Sequence, residues 1–143
     1  MAKNINAKGR RQKSQFLALP HEILRSPAYR SLSPSAVKLL VDVGLQFNGR
    51  NNGNLSICMS EMRKQGWRST ATLNRAKKEL LAAGLLEQTR QGGLNMGPNL
   101  FALTWQSIDE CPRKDGRRRH DVNPTNIPSG KWKHFSASRE LEG

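Results

Sequence analysis

A chain of 143 residues is long enough to bury one core and too short for two. Its 24 Lys and Arg against 11 Asp and Glu leave a formal charge of +13 and a pI near 10.7, so a polyanion is the natural partner, nucleic acid before others. The roughly 18 successive apolar residues of a membrane span occur nowhere, and Met1 to Gln15 lacks the apolar segment of a secretory leader, so a cytoplasmic protein without membrane contact is expected.

Hydrophobic residues make up 36% of the chain, low for a sequence packed throughout, so unpacked ends are expected. Residues 1–15 form the first of these, a basic arm in which Lys3, Lys8, Arg10, Arg11 and Lys13 face no acid. Such an arm is read as disordered when free and suited to phosphates or a minor groove, with Lys8, Arg10, Arg11 and Lys13 as phosphate candidates. Apolar content begins at Phe16 and Leu17 in a lead-in segment expected to pack on the core. Pro20 opens a short helix over His21 to Leu24, and Pro27 starts another turn through Tyr29. His21 has no carboxylate or Cys beside it and is read as a surface residue.

Ser33 and Pro34 spell a helix start, cap then first turn, and the helix is expected to run to Phe47. Val37, Leu40, Val41 and Gly44 repeat at helical spacing and Leu39, Val43 and Phe47 add a second stripe, which predicts a central buried helix with Gly44 permitting a close helix approach. Asn48 to Asn54 is dense in Asn and Gly and reads as a tight connection to a short strand, Leu55 to Cys58. The loop lacks the phosphate-binding Walker pattern.

The centre of the chain is the run from Ser60 to Trp105. A short helix over Ser60 to Gly66 is ended by that Gly, Trp67 plugs the core at the turn, and a second helix runs from a Ser69 cap to a Gly84 stop. On a wheel at about 100° per residue, Ser69, Leu73, Ala76, Leu80 and Ala83 make the core stripe. Ala71, Asn74, Arg75, Lys78 and Ala82 fall opposite. Arg75 suits a guanine edge, Asn74 an adenine edge, and the small Ala71 permits close approach to a groove, so Asn74, Arg75, Lys78 and Ala71 are the base-reading candidates. Arg63, Lys64, Arg68, Ser69, Thr70, Thr72 and Lys77, on the flanks or at the helix start, are the phosphate candidates. Two strands follow, Leu85 to Arg90 and Leu100 to Trp105, joined by a neutral Gly-rich tip. Arg90 at its base is a further phosphate candidate.

Leu19, Pro20 and His21, the Asn-Gly steps near 48 and 52, Gly66 with Trp67, and Leu103, Thr104 and Trp105 resemble a group of small winged helix-turn-helix proteins of proteobacterial phages and mobile elements. These are similar in turn to the DNA-binding domains of plasmid and phage replication initiators and of repressors. The resemblance spans Phe16 to Trp105 and implies double-stranded DNA as partner and a bacterial protein that associates with the nucleoid when bound. It assigns no residue roles and does not separate regulation from replication.

Residues 106–143 carry eight Lys and Arg against six Asp and Glu, three prolines and few periodic apolar positions, and are read as an extended, partly disordered tail. Trp132 and Phe135 are the residues that can anchor it, on the domain or on a partner. The expected class is thus α+β, mainly α: a winged helix-turn-helix over 16–105, with a three-helix core, a small antiparallel wing sheet and two tails. No enzyme is expected, because His21, His120 and His134 are scattered and acids are sparse. Cys58 and Cys111 stand far apart with no second ligand at metal spacing, so neither metal, disulfide, cofactor nor small-molecule substrate is expected. The expected role is sequence-specific regulation of transcription, as a repressor acting as a homodimer on an inverted repeat. An accessory role at a replication origin, or binding to RNA or a host protein, is the alternative.

Overall fold

The computed structural model of the chain describes residues 14–136. The arm's Lys3, Lys8, Arg10, Arg11 and Lys13 lie outside the described residues. The fold is α+β: five α-helices and a three-stranded antiparallel sheet among those residues.

Helix α1 (His21–Leu24) and α2 (Pro27–Arg30) are single turns set by Pro20 and Pro27, and the Ser26 hydroxyl accepts from the Tyr29 amide at 3.2 Å as the cap of α2. They seat Ile23 and Ala28 in the core. Helix α3 (Pro34–Gly44) starts as expected, the Ser33 hydroxyl accepting from the Ala36 amide at 3.2 Å. It stops at Gly44 rather than Phe47. Its buried side carries Leu39, Leu40 and Val43, whereas Val41 is 44% exposed, so the wide apolar face narrows to one stripe plus an exposed apolar edge. Gly44 is indeed a point of close approach, but to the lead-in segment: a Cβ there would lie 2.5 Å from Leu17 Cδ2.

Strand β1 (Leu55–Ser56) is shorter than the expected Leu55 to Cys58, because the chain turns at once into helix α4 (Met59–Met62), which tightens into a 3-10 turn over Arg63–Gln65. Gly66 ends it in the left-handed region at φ 97°, a conformation that costs a residue with a Cβ about 1 kcal/mol or more. Helix α5 (Thr70–Ala82) follows and packs on α3. Leu73, Ala76 and Leu80 are buried on it, each Leu stabilising the fold by roughly 1.5–3 kcal/mol. Ser69 is not part of that stripe. It is exposed and serves as the cap, accepting from the Thr72 amide at 3.2 Å.

Strands β2 (Leu86–Arg90) and β3 (Leu100–Leu103) form the hairpin, and β1 adds on the far side of β3 to give the order β1-β3-β2. Leu86 pairs with Leu103 and Gln88 with Phe101, with an irregularity before Arg90. As the middle strand, β3 is buried at every position.

Beyond Trp105 the chain holds little regular structure, yet it is fastened to the domain. Ile108, Cys111, His120 and Trp132 are buried, and Trp132 belongs to the main core. Gly84 makes room for the last of these crossings: its φ is 76°, and a Cβ would meet the Lys131 carbonyl oxygen at 2.7 Å. The Gly130 amide donates to the Thr104 carbonyl at 2.9 Å and Lys131 pairs with Glu87 at 3.1 Å. Over residues 106–136 the expected extended tail is therefore a strap, held by isolated apolar and polar anchors that follow no helical or strand period. No helix among the described residues is long and apolar enough to cross a membrane.

Candidate nucleic-acid interface

The outward face of α5 holds Ala71, Asn74, Arg75, Lys78 and Ala82, all exposed, opposite buried Leu73, Ala76 and Leu80. Thirteen residues make this helix about 20 Å long, enough to lie across a groove about 12 Å wide. The one acid of α5, Glu79, borders this face, where a free carboxylate would repel phosphate. It is turned toward α3 instead: the Ser33 amide donates to Glu79 Oε1 at 2.9 Å and the Ser33 hydroxyl to Oε2 at 2.8 Å. The same contact joins the start of α3 to the last turns of α5, so it orients the helix as well as occupying the charge.

The turn before α5 is held by a second polar set. Trp67, 6% exposed, donates through Nε1 to Asp42 Oδ2 at 2.7 Å. Lys38 Nζ reaches the same Asp42 oxygen at 2.9 Å and the Gln65 carbonyl at 2.7 Å, and lies 5.8 Å from the centre of the Trp67 ring. Asp42 therefore binds the indole, and Lys38 the backbone of the turn, both from one face of α3. Periodicity places Trp67 in the core but not Asp42, because an acid inside an apolar stripe reads as an interruption until its partners are known.

Around this turn Arg63, Lys64 and Arg68 are exposed, and Arg63 and Arg68 share a shallow depression with Gly66 and Trp67. Lys64 meets Glu61 at 3.4 Å in a fully surface pair of small energetic weight. Thr70 is exposed, whereas Thr72 and Lys77 are half-buried. Ser69 spends its oxygen on the cap, and Thr72 Oγ1 accepts from Arg75 at a long 3.5 Å, so the Arg75 guanidinium is lightly held. At the other end of α5, Phe135 of the strap shares a cleft with Ser31, Arg75, Lys78 and Ala82. Its nearness to the outward face was not visible in the residue pattern.

Arg90 departs furthest from expectation. Its guanidinium is occupied by backbone: Nη1 donates to the Arg119 carbonyl at 3.2 Å and Nη2 to the Met96 carbonyl at 2.9 Å. A side chain committed to two carbonyls fixes two loops side by side rather than standing ready for a phosphate. The hairpin tip beyond it is closed by a Gly93–Gly97 bridge and by the Gly92 amide donating to Asn99 Oδ1 at 2.6 Å, and it presents Leu94, 90% exposed, with Met96.

The Asn-rich connection is an anchor rather than a ligand loop. Asn52 is fully buried; its Oδ1 accepts from the Leu103 amide at 2.7 Å and its Nδ2 donates to the Leu103, Gln106 and Ser107 carbonyls at 3.0, 3.1 and 3.0 Å. Its own amide donates to Asp109 Oδ2 at 2.8 Å. Cys58 and Cys111 are both free thiols. Burial, with the nearby Asp109 charge, pushes the Cys111 thiol up to about 11. No family model, curated protein or solved structure matches the chain.

Proposed function

We propose that this chain is a sequence-specific, double-stranded DNA-binding protein of the winged-helix kind, acting as a transcriptional repressor of a phage or mobile element. The observation that carries the reading is the outward face of α5, where Ala71, Asn74, Arg75 and Lys78 stand exposed on a capped helix whose other side is buried. Asn and Arg are the side chains that pair bidentately with adenine and guanine edges, and Ala71 keeps the approach close. The order supports the same reading: α4, a Gly-closed turn, α5 as recognition helix, then a β2–β3 hairpin as wing. Arg63, Lys64, Arg68, Thr70, Thr72 and Lys77 take the flanking phosphates.

A protein of this size represses by occupying promoter DNA, as a homodimer on an inverted repeat. Its location follows from that partner: the bacterial cytoplasm, at the nucleoid when bound. Selection of bound fragments from the source genome tests the reading. Enrichment of the DNA upstream of its own gene is the expected result. Enrichment of iterated origin repeats would move the protein to replication, and fragments recovered no better than bulk DNA would overturn sequence-specific binding altogether.

A further inference from the structure

Residues 112–119 hold five cations, Arg113, Lys114, Arg117, Arg118 and Arg119, around the single carboxylate of Asp115. The segment is a small, closed hairpin. Pro112 bridges Arg118, the Arg113 amide donates to the Arg117 carbonyl at 2.7 Å, and the Arg119 amide donates to the Cys111 carbonyl at 2.9 Å. Asp115 shapes the turn, its Oδ1 accepting from the Arg117 amide at 2.9 Å, and Gly116 completes it. All five cations are exposed except the half-buried Arg118, which is bonded to Asn123 at 3.2 Å.

Both feet of this loop are nailed down. Cys111 and His120 are buried, and His120 Nε2 lies 2.6 Å from the Asp109 carbonyl while Nδ1 takes the Val122 amide at 3.4 Å. Asp109 is tied to Asn52 from both sides, and the Asp121 amide donates to the Thr89 carbonyl at 2.9 Å on β2. Arg90 then clips the loop to the hairpin tip through the carbonyls of Arg119 and Met96. Arg113 and Arg119 consequently line one shallow cleft with Arg90, Met96 and Pro98. The acids nearby are partly engaged: Glu110 and Asp121 line a second open depression with Arg117 and Arg118, Asp115 pairs with Arg117 Nε at 3.4 Å in a largely exposed contact, and Asp109 is taken up by Asn52. The hairpin tip itself brings no cation.

We propose that the loop 112–119 is a second DNA-contacting element, gripping the phosphodiester backbone beside the hairpin with Arg113, Lys114, Arg117 and Arg119. The proposal rests on the duplex-DNA reading above. A fixed backbone is what distinguishes it from a solvated charge run, because a loop already held in place loses less freedom when its side chains meet phosphates. Arg90 is its positioning residue.

The test is the chain carrying Arg113→Gln, Lys114→Gln, Arg117→Gln and Arg119→Gln, compared with the unchanged chain on its selected duplex. The far-ultraviolet circular dichroism should be unchanged. The dependence of log affinity on log salt should flatten by roughly 3–4, with at least about tenfold weaker binding at physiological salt. Hydroxyl-radical protection should disappear at one edge of the site and persist where α5 lies. Equal affinity and slope for the two chains would overturn the proposal while leaving DNA binding intact. Unaltered duplex binding with lost binding to phosphatidylglycerol vesicles would assign the loop to a membrane surface and overturn it too. An unchanged chain that bound no duplex at all would remove the DNA reading and this element together.

Discussion

Two basic surfaces of this molecule are built in opposite ways. The outward face of α5 is set mainly by local signals, a Ser69 cap, a Gly84 stop, and Leu73, Ala76 and Leu80 at helical spacing, to which Glu79 adds a tether to Ser33. The loop 112–119 has no such period and is held by partners far away in sequence, Asn52, Thr89 and Arg90. A helix offers side chains in a fixed register suited to base edges, whereas a loop fastened at its feet offers charge at a fixed place, suited to a backbone. A charge run in an irregular segment becomes a defined surface only through the polar residues that pin it.

The fastening of the loop is tested most severely by Asn52→Leu. The contacts of a fully buried side chain vanish, leaving the Leu103 amide and the Gln106 and Ser107 carbonyls without this partner, and denaturant unfolding should read a loss of about 3–5 kcal/mol. A loss under 1 kcal/mol would show that water or a shifted loop replaces those bonds. On the helix side, Asp42→Ala leaves the Trp67 indole N–H buried without its acceptor. About 2–3 kcal/mol of stability should go, and duplex affinity should fall with it, since the turn before α5 loses its hold on α3. Stability lost without any change in affinity would separate the turn from the interface.

Arg75→Ala should leave unfolding unchanged and weaken binding by about 1–3 kcal/mol, with relaxed preference at one base position. If instead all sequences weakened alike, Arg75 would be a phosphate contact like those of the loop. The smallest effect concerns Cys111. With its thiol raised from 9.0 to about 11, the folded state keeps a proton that the unfolded chain has already released between those values. Its contribution is therefore complete below about pH 9 and lost as pH climbs toward 11. Alkylation followed by mass spectrometry at pH 8 should modify half-exposed Cys58 well before Cys111. Equal rates would indicate that the foot of the loop opens readily.

Much of the helical frame was legible in the residues. Caps at Ser33 and Ser69, stops at Gly66 and Gly84, and the apolar spacing of α5 are local signals, each set by a few neighbouring residues. The hairpin and the third strand are legible for the same reason, though β2 begins at Leu86 rather than Leu85, β3 stops at Leu103 rather than Trp105, and β1 stops at Ser56 because α4 begins so soon. The position of Arg90 at the hairpin base suggests a phosphate contact, because position alone cannot tell an unengaged guanidinium from one bonded to carbonyls 6 and 29 residues away. The loop 112–119 is hidden in a segment of nearly balanced charge, and its one local signal is Asp115 with Gly116, a hairpin-turn signature.

Local causes are written in the residues themselves: which of them cap and end the helices, which face of α5 is apolar, and a formal net charge of +13. Only the tertiary structure decided what depends on long-range pairing. Asp42 under Trp67 and Glu79 turned to Ser33 are contacts across 25 and 46 residues, Arg90 reaches a carbonyl 29 residues on, and Trp132 enters the core from the far end of the chain. A helical or strand period repeats within a few residues, so it records which face is buried. A hydrogen bond across half the chain leaves no period, and only folding brings its two ends together.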